Sequence, residues 1–89
     1  MKAKEYAAEY KANPTLEKLG KIAAGMLSEM AIVAETRHAK SDEALISIIN
    51  EQIDKWRAFA GLAGDGIKPD GLKILIRRDF PFIPESKLK

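Results

Sequence analysis

The segment 41–62 carries the clearest apolar pattern in the chain. Its apolar side chains recur at steps of three and four residues, which is the spacing of one face of an α-helix. The members of this face are Ile46, Ile49, Ile53, Trp56 and Ala60, widened by Leu45 and Phe59. Charged and polar residues, Gln52 among them, occupy the opposite side, and Ser41 is a suitable N-cap. The pattern predicts a helix over 42–62 against which every other element packs.

A second apolar face runs through the segment 14–39 with the same heptad-like spacing. Its members are Leu16, Leu19, Ala23, Met26, Met30 and Val33. A continuous helix here would be about 40 Å long, which exceeds what a partner over 42–62 can cover. Gly20 and Gly25 leave two interpretations open, because each costs about 0.5–1 kcal/mol inside a helix. They indicate either close approach between two helices or a break at Gly20, and we favour the continuous helix.

The first residues predict a short helix over 2–12. Tyr6 and Tyr10 are four residues apart and therefore share a face of that helix. Asn13 and Pro14 end it, because the residue before a proline avoids the α conformation. Helices of about three turns are marginal alone, so the two tyrosines must dock on a neighbouring element.

Residues 63–68 interrupt the helical pattern with glycine and aspartate, which is typical of a loop with tight turns. A last helix is predicted over 69–79, with a proline in its first turn. A strand over 73–77 is the alternative, because Ile74 and Ile76 alternate with charged residues. No second strand-like segment could pair with it, so we reject the strand.

The tail, residues 80–89, is predicted to be extended because Pro81 and Pro84 exclude regular helix. Its first part contains Phe80, Phe82 and Ile83. These side chains are too apolar to remain in solvent, so we expect them to pack onto the bundle. The residues from Glu85 onward are expected to fray.

Together these elements predict an all-α fold in one domain spanning residues 1–89. The connection around Lys40 and Ser41 is short, so the two long helices are expected to form an antiparallel pair at the centre. The fold is then a small bundle of three main helices plus a short C-terminal helix. A chain of 89 residues is too small for a second core.

Composition narrows the classes of protein. The absence of cysteine excludes a disulfide framework and a cysteine-based zinc site. Neither a secretory signal nor an apolar run of membrane-spanning length is apparent, which predicts a soluble, cytoplasmic protein with no membrane partner. The net charge of +2, from 15 basic and 13 acidic side chains, is too small to indicate a polyanionic partner by itself.

Candidate catalytic and metal-binding residues are weak. His38 is the only histidine, and two neighbouring carboxylates at Glu35 and Asp42 make a poor ligand set. The Asp-Gly pairs at 65–66 and 70–71 lack the alternating oxygen ligands of a calcium loop. The sequence therefore predicts a non-enzymatic protein with no catalytic residue, cofactor or metal.

Two binding hypotheses remain. The first is protein–protein binding, either self-association or binding to another protein. It follows from the apolar face of segment 14–39, which is wider than one neighbouring helix can cover. Its contact residues would be Leu16, Leu19, Ala23, Met26, Met30 and Val33. The alternative is nucleic-acid binding through a basic patch on the third and last helices. That patch would consist of Lys55, Arg57, Lys73, Arg77 and Arg78.

The run KSDEALISIINEQIDKWRAFAGLAGDGIKPDGLKILIRRDFP, residues 40–81, resembles small uncharacterised proteins carried by bacteriophages and prophages. In those proteins a KWRAF-type helix precedes an IKPDG-type loop and a short helix of basic and apolar residues. The resemblance covers about half of the chain. It implies a phage accessory or structural protein, or an inhibitor of a host protein, and carries over no functional residue.

Overall fold

Four α-helices form the protein in the computed structural model, which describes residues 1–89. They are α1 (Ala3–Ala12), α2 (Leu16–Thr36), α3 (Asp42–Ala63) and α4 (Gly71–Asp79), followed by a 3-10 turn at Glu85–Lys87. The structure contains no strand, so the predicted all-α bundle is confirmed and the strand alternative is wrong. No helix has both the length and the apolar content needed to cross a membrane.

The ends of α2 follow from local hydrogen bonding and backbone conformation. Thr15 is its N-cap, and the Thr15 hydroxyl accepts a hydrogen bond from the Lys18 N–H at 3.1 Å. At the other end, His38 adopts a left-handed conformation with φ of 52°, which is incompatible with a continuing helix. The helix is therefore shorter than the predicted 14–39, but it passes through both glycines without a break.

The central helix is α3, which contacts each of the other three helices. Its buried residues are Ile48, Ile49, Gln52, Ile53, Trp56, Phe59 and Ala60. Most of the predicted face is correct, but Ile46 is only half-buried and Ile48 replaces it in the core. The most extensive packing partner of α3 is the short helix α1, whose Tyr10 ring meets the Phe59 ring edge-on at 6.2 Å.

Gln52 corrects the predicted polar side of α3. Its side chain is buried, and its amide nitrogen donates to the Met26 carbonyl oxygen on α2 at 2.8 Å. A buried amide needs such a partner, because an unpaired polar group inside a protein costs about 1–3 kcal/mol. Gln52 therefore ties α3 to α2 within the core.

The apolar face of α2 is largely covered by the chain itself. Ala23, Met26 and Met30 are buried, and Leu19 and Val33 are partly buried against the core. The predicted contact surface is therefore wrong for the three buried residues, which a second copy could not reach. Both α3 and α1 pack against α2, so the apolar face of α2 has two neighbours within the chain.

One side chain of the predicted contact surface stays in solvent. Leu16, the first residue of α2, is 86% exposed. It lies at the first position of the helix and is not packed against the core cluster. A single exposed leucine of this kind is common on protein surfaces.

The loop between α3 and α4 is fixed by Trp56. The indole N–H donates to the Lys68 carbonyl oxygen at 2.8 Å, while the ring lies against Gly71. A Cβ atom on Gly71 would be 3.3 Å from that ring, so the glycine allows α4 to begin directly over the indole. This contact places α4 against α3.

The tail is ordered in a way that the sequence only partly predicted. Ile83 is buried as expected, whereas Phe82 is 63% exposed. The predicted fraying of the last residues is wrong, because Leu88 is buried and joins the core cluster. The tail thus runs back over the bundle after leaving α4.

Candidate interaction surface

Two residues of the predicted basic patch are brought together on the outer side of α3 and α4. The Arg57 guanidinium and the Lys73 ammonium group both donate to the Lys89 carbonyl oxygen, at 2.6 and 3.1 Å. Arg57 also bonds to the Asp70 carboxylate at 2.9 Å. This pair of cations is therefore occupied by oxygens of the same chain.

Lys55, another residue of the predicted basic patch, lies on a different side of α3. Its ammonium group donates to the Glu29 carboxylate of α2 at 2.7 Å, on the side of α3 that faces α1 and α2. Lys55 therefore does not join Arg57 and Lys73. The sequence contained a signal for this separation, because side chains two residues apart on an α-helix point to opposite sides of it.

Arg77 and Arg78 occupy the last turn of α4, where positive charge suits the negative end of the helix dipole. The Arg77 guanidinium lies 3.4 Å from the Glu85 carboxylate, and Arg78 bonds through Nε to Asp79 at 3.2 Å. Both side chains are more than half exposed, at 53% and 69%. The predicted basic patch is thus divided among three places, and every member faces an oxygen of this chain.

A groove opens between α4 and the tail beside these two arginines. Its volume is about 500 Å³, and its lining residues are Ile74, Arg77, Arg78, Pro81, Ile83, Pro84 and Glu85. Ile74 is 61% exposed, although it belongs to a helix with an otherwise buried apolar face. The groove therefore combines exposed apolar surface with two guanidinium groups.

Phe82 lies between two residues that line the groove, Pro81 and Ile83, in the turn that begins the tail. The Ile83 N–H donates to the Phe80 carbonyl oxygen at 3.2 Å, which places Pro81 and Phe82 at the two corner positions. Turns commonly lie at the protein surface, and the Phe82 ring here is largely exposed, with one edge-on contact to the Phe80 ring at a centroid distance of 6.0 Å. Pro81 at the first corner was the sequence signal for this turn. The apolar character of Phe80, Phe82 and Ile83 instead suggested that all three are buried. We call Ile74, Arg77, Arg78, Pro81 and Phe82 the C-terminal surface.

A polar cluster joins α1, α2 and α3 on another side of the molecule. The Glu29 carboxylate accepts hydrogen bonds from the Tyr6 hydroxyl, from Lys55, and from the Met1 amino group at 2.8 Å. Burial raises the pKa of Glu29, but these hydrogen bonds outweigh it and hold the pKa at about 2. Burial and the adjoining carboxylate raise the pKa of Tyr6 well above its ordinary value.

This cluster is structural in its chemistry. Glu29 is ionised and Tyr6 protonated across the neutral range, so neither group is poised to exchange a proton. Gly25 makes room for the Tyr6 hydroxyl, since a Cβ atom there would lie 3.2 Å from it. The carboxylate therefore serves as the point at which three helices are joined.

His38 lies exposed in the turn between α2 and α3, and the structure contains no group of three or more His, Asp or Glu side chains arranged to hold a metal ion. Exposed apolar and cationic side chains coincide at the C-terminal surface, which makes it the candidate site. No family model, no curated protein and no solved structure matches this chain.

Proposed function

We propose that the protein is a non-enzymatic binding protein, a structural or adaptor component that contacts another protein through its C-terminal surface. The observation that carries the proposal is the exposure of Ile74 in a groove that it shares with two arginines, together with the exposure of Phe82 in the turn that borders the same groove in sequence. Aromatic and arginine side chains are enriched at protein interfaces and dominate their binding energy. The surface replaces the α2 face as the contact site, because that face is covered by the chain itself.

The groove defines the chemistry of the partner. The lining is mixed, and its apolar part favours an aliphatic or aromatic side chain placed near Ile74 and Pro81. Arg78 uses only its Nε in the bond to Asp79, so its terminal nitrogens are available to a carboxylate. The expected partner segment therefore carries an apolar side chain next to an aspartate or glutamate.

The run that resembles bacteriophage and prophage proteins supports a phage setting for this role. In that setting the partner is another phage component or a host protein that the chain inhibits. Both cases use the same surface and the same chemistry.

Site-specific photo-crosslinking tests the proposal. A photoreactive phenylalanine replaces Phe82 in one variant and Leu16 in the matched control, since both side chains are largely exposed. We expect a discrete protein adduct from position 82 in cells that express the chain, and none of that size from position 16. Arg78→Glu in the crosslinking variant should abolish the adduct.

Two outcomes would overturn the proposal. The first is equal labelling from both positions, which indicates random collisions. The second is an adduct from position 82 that nuclease removes, which favours the nucleic-acid hypothesis. The latter would also require binding that weakens steeply with salt, as phosphate contacts do.

A further inference from the structure

The end of the tail is bound to α3 in the manner of a recognised peptide. The Asn50 side chain donates through its amide nitrogen to the Lys87 carbonyl oxygen at 3.1 Å, and its amide oxygen accepts from the Lys89 N–H at 3.0 Å. One carboxamide therefore pairs with both polar groups flanking Leu88, whose backbone is extended. A neighbouring β-strand would engage the same two groups.

Side chains on both sides of this pairing are also bound. Leu88 is only 8% exposed and belongs to the core cluster. The Lys89 ammonium group lies 2.7 Å from the Asp54 carboxylate, and the Lys89 carbonyl oxygen is held by two cations. We call Asn50, Asp54, Arg57 and Lys73 the tail seat.

We infer that the tail seat is a binding site for an extended Leu-Lys peptide segment, and that residues 85–89 of a second copy are a ligand for it. Every side chain of the seat belongs to α3 or α4, so the seat does not depend on which copy supplies the segment. Four of its contacts are to main-chain atoms of Lys87 and Lys89. Residues 87–89 of the same chain already make these contacts, so a segment of the same sequence fits the seat.

The segment of the same chain occupies the seat in dilute solution. Its attachment through the turn at Phe80–Ile83 gives it an effective concentration of about a millimolar, which a free second copy seldom reaches. Exchange between copies is therefore favoured only where copies are crowded or held in an assembly, as in other exchanges of identical elements. The inference stands apart from the proposed function, because no tail-seat residue belongs to the C-terminal surface.

Peptide binding to the full chain tests the seat. Leu88→Ala removes the buried side chain of the chain's own segment, and Lys89→Glu opposes Asp54 without leaving a cavity. We expect the peptide ESKLK to bind each variant at least tenfold more tightly than it binds the unmodified protein, measured by calorimetric titration. The control peptide ESKAK should bind neither variant, and Asn50→Ala added to Lys89→Glu should abolish binding of ESKLK.

The outcomes separate clearly. The inference would be overturned if ESKLK bound neither variant while the helical circular dichroism of both variants was unchanged. Equal binding of ESKLK and ESKAK, or binding that survives Asn50→Ala, would also overturn it. A peptide with a free carboxylate should bind several-fold more tightly than its amide, because Arg57 and Lys73 then face a formal negative charge.

Exchange between copies is tested by mixing two variants. Leu88→Ala keeps the seat but lacks a good segment, whereas Asn50→Ala keeps the segment but has a damaged seat. We expect the mixture to form a heterodimer in sedimentation experiments at concentrations where each variant alone is monomeric. A mixture that sediments as monomers at every concentration would overturn the second-copy ligand, whereas the crosslinking result at position 82 would be unaffected.

Discussion

The carboxylate of Glu29 lies 2.7 Å from the ammonium group of Lys55 and links α2 to α3 where the Tyr6 hydroxyl of α1 also binds. Three helices therefore depend on the charge of one partly buried side chain. The arrangement has consequences for acid stability, since each of the hydrogen bonds that Glu29 accepts favours its ionised form.

Stability should fall as acid protonates Glu29. Its folded pKa of about 2 lies below the ordinary value of 4.5, so its contribution is complete above about pH 4.5 and is lost as pH falls toward 2. Glu29→Gln should lower the free energy of unfolding at pH 7 by about 1–2 kcal/mol. Urea unfolding followed by circular dichroism between pH 2 and 7 measures both effects.

The matched control for this experiment is Glu35→Gln, because Glu35 is exposed and forms no ion pair within the structure. Its unfolding free energy should stay within about 0.5 kcal/mol of the unmodified protein. If Glu29→Gln retains the full acid dependence of the unmodified protein, the carboxylate does not join the helices as described.

Two glycine substitutions should change the stability of the protein in opposite directions. Gly71→Ala forces a Cβ atom to within 3.3 Å of the buried Trp56 ring and should destabilise the protein by about 1 kcal/mol. Gly20→Ala meets no atom within 4 Å on the exposed face of α2 and should stabilise it by about 0.5–1 kcal/mol. Thermal unfolding of the two variants measures the difference, and two shifts in the same direction would contradict it.

Met26→Ala tests whether the α2 face is core or interface. The Met26 side chain is fully buried, so the substitution should cost about 2–4 kcal/mol through the cavity it leaves. The loss should be the same at every protein concentration, because no second copy covers the residue. Leu16→Ala should cost less than about 0.5 kcal/mol. A Met26 effect that grows with protein concentration would restore the self-association surface on this face.

Substitutions at the adjacent tail residues Phe82 and Ile83 should differ in how much they destabilise the protein. Ile83→Ala removes a buried side chain and should destabilise the protein by about 2 kcal/mol. Phe82→Ala should cost less than about 1 kcal/mol, because Phe82 is largely exposed and loses only its edge-on contact with the Phe80 ring. Equilibrium unfolding of both variants in urea gives the comparison. Comparable losses would show that the turn at Phe80–Ile83 does not point Phe82 into solvent.

Much of the fold could be predicted because helical spacing reports one quantity, the side of a helix that faces the core. Ile49, Ile53 and Trp56 were placed correctly by that spacing alone. Gln52 was not, because a polar residue enters the core only when a particular partner, here the Met26 carbonyl, is present across the interface. Such a partner depends on how two helices are rotated and shifted, which periodicity does not contain.

The candidate site could be predicted less well for the same reason. The sequence identified Arg77 and Arg78 as cations, and Asp79 as an acidic neighbour, but it could not place the Glu85 carboxylate of the returning tail against Arg77. Phe82 was expected to pack onto the bundle because its side chain is apolar. The proline before it, however, favours a turn that leaves Phe82 at the surface. Apolar character predicts burial only where the backbone direction allows it.

Trp56 gives the protein an internal optical reporter. It is the only tryptophan in the chain, and its indole is shielded from water and hydrogen-bonded to the loop that carries α4. Its fluorescence emission therefore lies at shorter wavelength while that loop is seated, and moves to longer wavelength when the loop lifts away. Departure of the C-terminal third of the molecule can thus be followed in unlabelled protein, separately from loss of helix.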